Sequence, residues 1–192
     1  MTRSESRERL LDTAERLFTE HGYAAVKLKQ IASALGIAHA SLYHHAPGGK
    51  EQLFIEVMER HFKRHQQGIT AVVQSRAGDL RAQLHVIAEW TLSQPPLNLQ
   101  RMVHSDLLAI NPMEADRLST LALESLIEPF LMVLEQAQVR GEIDHDNLGL
   151  VAGGLFGMIQ SMHLLPNEAV TGSRHAMANQ LIDTFLTGLY KR

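Results

Sequence analysis

IASALGIAHASLYHHAPGGKE, residues 31–51, decides the fold. Two short apolar-patterned runs meet at Gly36-Ile37-Ala38. Ile31, Ala32 and Leu35 share one face of a helix predicted over about residues 28–35. Gly36 supplies a tight turn, because glycine tolerates a positive φ. A second short helix is predicted from about His39 to His45, and Pro47-Gly48-Gly49 stops it. Ala32 is small enough for close helix approach, and Ile31, Leu35, Ile37 and Leu42 are the apolar residues that lock the pair. These are the requirements of a DNA-binding helix-turn-helix. The second helix then presents His39, Ala40, Ser41, Tyr43 and His44 outward. Such small or hydrogen-bonding side chains suit base edges and phosphates in a major groove.

Helical spacing continues on both sides. Leu10, Leu11, Ala14, Leu17 and Phe18 mark a first helix, ended at His21-Gly22 and capped by Thr2 (with Glu5), Ser4 or Ser6. A longer helix opens near Lys50, with Leu53, Phe54, Val57, Met58, His61, Phe62, His65, Ile69 and Val72 inward, and breaks at Ser75-Arg76-Ala77-Gly78. Further helices are predicted over about 79–93, 98–110, 113–140, 148–165 and 173–190. Pro129 falls inside 113–140, where a missing N–H and a ring clash predict a kink or a break. No segment alternates with period two. The expectation is an all-α chain of about nine helices. Residues 1–50 form a three-helix domain with the helix-turn-helix, the helix from about 50 is the link, and 51–192 form a helical body.

Composition agrees with a soluble chain. Apolar residues make up 45% of 192, and there is no stretch of ~18 uncharged apolar residues to span a membrane. The start, MTRSESRERL, lacks the apolar run of a signal peptide, so a cytoplasmic protein is expected. Zero cysteines exclude disulfides and zinc-thiolate sites. Residues 1–65 hold ten basic and eight acidic residues, the remainder eight and thirteen. A basic end and an acidic end point to two jobs, one of them at a polyanion.

Residues 7–58 resemble the N-terminal domain of the TetR family of transcriptional repressors. The matching features are Leu17-Phe18, Gly22-Tyr23, Ile31-Ala32, Gly36-Ile37, Leu42-Tyr43, His45 and Lys50-Glu51. The resemblance implies that Lys29 contacts a base or phosphate and that His39, Ala40 and Ser41 enter the major groove. It places Tyr43 and His44 on phosphate and sugar, and Lys50 on a phosphate at a helix N-terminus. Three positions depart from the pattern. Lys27 stands where Ser or Thr usually caps the second helix; it cannot accept that bond but can offer charge to a phosphate. Ala46 replaces an aromatic, and Pro47-Gly48-Gly49 is one residue longer than the commonest turn.

Eleven histidines raise a metal reading, and His61 and His65, four apart on one helix, have the best spacing. They share a side with Phe54, Met58 and Ile69, so a buried structural pair is the plainer reading, and no metal or other cofactor is expected. His104-Ser105-Asp106 has the residue types of a hydrolase triad, but neighbours on one helix cannot face one another, and no enzyme is expected. Trp90, Met102, Asp106, Phe130 and Met158 are the candidate lining of a largely apolar pocket, with Pro129 placed to open it. The resemblance implies a small-molecule effector there. Gly149, Gly153, Gly154 and Gly157 in one helix point to close approach by another helix, in the same chain or a second copy. The family's dimer, built from the last two helices, makes Gly153, Gly157, Leu181 and Phe185 candidate interface residues. The function implied is a ligand-responsive repressor bound as a homodimer to a pseudo-palindromic double-stranded DNA operator. A metal-responsive regulator and a helical binding module without DNA function are the alternatives.

Overall fold

A computed structural model describes residues 3–76 and 78–189, with only the backbone of Arg3 and Ser4. The Thr2 cap, Ala77 of the predicted break and Tyr190 of the last predicted helix lie outside the described residues. The described chain is helical, with no strand. Its helices are α1 (Arg3–His21), α2 (Leu28–Leu35), α3 (His39–His45), α4 (Gly49–Gln74), α5 (Leu80–Ser93), α6 (Leu99–Arg101), α7 (Pro112–Leu126), α8 (Glu128–Val139), α9 (Leu148–Ser161) and α10 (Arg174–Leu189).

Two differences from the sequence reading concern helix bounds. The helix expected over 98–110 is instead the short α6, a π turn at Met102–Asp106 and a 3₁₀ turn at Leu107–Ala109. Its side chains have other partners, described below. The helix expected over 113–140 breaks at Ile127, and Pro129 sits in the first turn of α8. There the proline lacks only an N–H that has no intrahelical partner.

The chain packs as two units: residues 1–61 with 97–121, and residues 62–96 with 122–192. The first contains α1, α2, α3 and the opening half of α4. Leu10, Ala14, Phe18, Ile31, Leu42, Leu53 and Phe54 are buried in its core. The Phe54 ring meets Phe18 edge-on at 5.2 Å and Tyr23 at 5.0 Å. Arg60 of α4 donates to Glu8 and Glu15 of α1, each at 2.9 Å, and to Asp12. His61 Nδ1 lies 3.1 Å from Glu15 Oε1, and both residues are buried. Breaking the buried Glu15–His61 part of this network costs more than losing its exposed Glu8 or Asp12 arm. Arg7 adds a second tie, donating to the His45 carbonyl and to Glu56.

In the second unit α5 packs against α8, α9 and α10. Leu84 and Ile87 of α5, Phe130 and Leu134 of α8, Leu155 and Phe156 of α9, and Ile182 and Leu186 of α10 are buried. Each such large side chain contributes about 1.5–3 kcal/mol when fully removed from water. Asp183 of α10 accepts from Arg81 at 2.7 Å and sits 2.8 Å from His85, both on α5. Hydrogen bonding to Arg81 chiefly holds this carboxyl below the usual aspartate range. Gly68 lets α4 approach α5: a Cβ there would sit 1.9 Å from the Trp90 ring.

Candidate nucleic-acid interface

The turn of the helix-turn-helix is built as its sequence requires. Gly36 adopts φ 70°, its N–H reaches Ser33 O at 3.1 Å, and Ile37 N–H reaches Ala32 O at 3.1 Å. A left-handed residue closing these bonds ends α2 cleanly, and glycine alone takes it without strain. Ala38 is extended, and α3 starts at His39. Ile31, Ala32 and Leu42 are buried between the pair. His39, Ala40, Ser41, Tyr43 and His44 are all exposed. Tyr43 is 49% exposed, and its ring meets that of His39 edge-on at 5.2 Å.

Lys27 and Lys29 are exposed at the start of α2. Gln30 Oε1 accepts the Lys27 N–H at 2.7 Å, half of a capping box whose other half an ammonium cannot supply. From Gly22 to Lys50 the sequence holds three lysines and three histidines and not one Asp or Glu. Lys50 is placed differently from the rest. Its Nζ donates to Tyr23 O at 2.9 Å and stands 4.0 Å over the Tyr23 ring, and burial pushes its pKa down. His45 is half-buried, with its carbonyl held by Arg7. Ala46, where an aromatic was expected, is itself buried, its N–H on Leu42 O at 2.8 Å and its carbonyl accepting Gly49 N–H at 3.0 Å.

A support for this domain escaped the sequence reading. Arg101 donates to Phe18 O at 2.9 Å and Thr19 O at 2.6 Å, carbonyls in the last turn of α1, the first of which also accepts the Gly22 N–H at 2.8 Å. Asp106 accepts the Tyr23 N–H at 2.8 Å and faces Arg101 Nε at 3.4 Å. These side chains crowd Gly22, where φ is 81°. Asp106 and its buried neighbour Met102 belong to the first unit, whereas Trp90, Phe130 and Met158 belong to the second. Phe130 is fully buried, 6.1 Å from the Phe156 ring, and Trp90 packs over Gly68.

The second unit does hold a cavity of about 380 Å³, lined by other residues, among them Ile69, Val73, Gln83, Glu124, Glu128, Pro129 and Met132. Nothing in the spacing of Gln83 or the glutamates marked them as lining; Pro129 was the one visible signal. At the expected interface, a Cβ at Gly153 or Gly157 meets nothing within 4 Å among the described residues. Leu181 is 39% exposed and Phe185 half-buried. Among the described residues no group of three or more His, Cys, Asp or Glu is placed to hold a metal ion. No helix among them is long and apolar enough to cross a membrane.

Residues 10–57 match the sequence profile of the bacterial regulatory proteins of the tetR family. The HTH-type transcriptional regulator LmrA of Bacillus subtilis is 48% identical over 58 residues, 30% of this chain and 31% of that protein. The match thus spans about a third of that relative's length. A transcriptional regulator from Saccharomonospora viridis, solved in complex with choline, superposes with TM-score 0.75 over 99% of this chain and 100% of its own, at 24% identity. AibR, solved with isovaleryl coenzyme A and operator DNA, superposes with TM-score 0.75 over 93% of this chain and 96% of its own, at 18% identity. Both likenesses are of fold. Residues 10–57 thus form a helix-turn-helix domain matching that of the tetR family of bacterial regulatory proteins.

Proposed function

We propose that this chain is a ligand-responsive transcriptional repressor that binds a pseudo-palindromic DNA operator as a homodimer in the cytoplasm. The observation that carries the reading is the exposed face of α3, set in a stretch from Gly22 to Lys50 that has basic residues and no acidic one. Lys27 and Lys29 supply charge for phosphates, and His39, Ala40, Ser41, Tyr43 and His44 supply the face that enters the groove. Lys50 joins them only by leaving the Tyr23 carbonyl. One such domain grips one half-site, so two copies are required for a palindrome. The open glycine face of α9 with Leu181 and Phe185 of α10 supports that pairing, because a second helix can approach it closely. A fold neighbour solved with an acyl coenzyme A and operator DNA supports one architecture serving both a ligand and DNA. For a ligand to release DNA it must bind the non-DNA conformation more tightly. The reading assigns the chain no catalytic step.

The test is selection of bound duplexes from a random pool, followed by fluorescence anisotropy at several salt concentrations. The expected result is one enriched inverted repeat, its half-sites about one helical turn or a multiple apart, with affinity falling as salt rises. A pool that enriches no sequence, together with no salt-dependent binding, would favour a helical binding module without DNA function.

A further inference from the structure

The cavity of the second unit has a chemistry that names its ligand class. Ile69, Val73 and Val133 give it apolar surface. Among the described residues its charged lining is Glu124 and Glu128, with no Lys or Arg. Glu124 lies at the end of α7 and Glu128 opens α8, so the break at Ile127 sets two carboxylates one after the other along the same rim. Neither has an ion-pair partner among the described residues, whereas Arg81, Arg101, Arg117 and Arg140 each have a carboxylate. An independent observation comes from Gln83. This residue lines the same cavity and is only 2% exposed, yet its Oε1 has no hydrogen-bond partner. A buried acceptor without a donor is costly and rare in a folded protein. An apolar cavity with one orphaned acceptor and unpaired negative charge suits a molecule with the complementary set.

We propose that this cavity binds a small organic cation with an apolar body and at least one N–H, such as a protonated arylalkylamine. The apolar body covers Ile69, Val73 and Val133, the positive charge faces Glu124 and Glu128, and an N–H is donated to Gln83 Oε1. Carboxylic acids and phosphorylated ligands are disfavoured, because they bring negative charge to a rim that holds only negative charge. The proposal gives the effector class of the repressor reading and rests on it for the consequence at DNA, but not for binding itself.

The test is calorimetric titration of the whole chain at neutral pH with 2-naphthylmethylammonium, its N,N,N-trimethyl analogue, 2-naphthylmethanol and 2-naphthoate. The primary ammonium is expected to bind about tenfold or more tightly than the alcohol, the weight of one charge-assisted hydrogen bond, and the carboxylate not at all. Glu124→Gln with Glu128→Gln should abolish the preference for cation over alcohol while leaving alcohol binding unchanged. Both positions are exposed, so this variant keeps the fold. Gln83→Leu should abolish the preference for the primary ammonium over its trimethyl analogue, with the thermal midpoint recorded beside it. Equal binding of alcohol or carboxylate, binding by none of the four, or an unchanged preference in the double glutamine variant would each overturn the proposal. Adding the ammonium to the preformed DNA complex separates the two readings. Binding to the protein without DNA release keeps the site and removes the effector role. DNA binding without ammonium binding removes the site and leaves the regulator standing.

Discussion

Asp106 does its work through one backbone group. Its carboxylate accepts the Tyr23 N–H just after Gly22, at the exit from α1, and faces Arg101, which also holds the α1 carbonyls. The side chain is 4% exposed, so removing it strands a buried donor. Asp106→Ala should lower stability by about 1–3 kcal/mol, and Asp106→Asn, which keeps an acceptor oxygen, by clearly less. The shift in urea midpoint measures both, and equal midpoints for wild type and Asp106→Ala would remove the claim. The sequence offered this residue as a pocket liner because it stands among methionines in the body. Its partner is 83 residues away, and no local pattern announces such a pairing. Gln83 shows the converse: a glutamine in an apolar helix reads as a surface residue, and only burial with an unsatisfied oxygen marks it.

At the scale of elements, what could be read was what local stereochemistry determines. Gly36 called for a tight turn and takes a left-handed one; Pro129 called for a kink or a break, and α7 ends beside it. The span over 98–110 is helical from Leu99 to Ala109 but not uniformly α: Arg101 and Asp106 bond to α1 and the Tyr23 N–H, and the backbone there runs through a π turn. The four glycines of α9 lie between these cases. Periodicity announced a close approach without saying to what, and among the described residues nothing lies within 4 Å of a Cβ added at Gly153, Gly154 or Gly157. Gly153→Leu with Gly157→Leu should therefore spare the folded subunit, since a larger side chain there meets open space and favours helix. If a second copy packs on this face, the same variant should raise the dimer dissociation constant by about tenfold or more, as overpacking of a close interface does. Sedimentation velocity across a dilution series measures it, and an unchanged dimer would place the interface elsewhere.

For the molecule as a whole, the family was readable because its signature is local: Leu17-Phe18, Gly22-Tyr23, Gly36-Ile37 and Leu42-Tyr43 lie within one short domain. The cavity was not, because its lining comes from α4, α5, α7 and α8, whose meeting depends on packing rather than spacing. The same division applies to function. A DNA-reading helix carries its chemistry on consecutive residues, while a ligand site assembles it from distant ones. The most direct measurement of DNA reading is anisotropy titration of the selected operator with wild type and with Lys29→Ala plus Tyr43→Ala, across a range of salt. Both positions are exposed, so the variant keeps the fold. It should bind more weakly to every sequence, with a salt slope shallower by about one, because the phosphate facing Lys29 is no longer neutralised. Wild-type affinity and an unchanged slope in that variant would contradict the assignment of α2 and α3 to DNA.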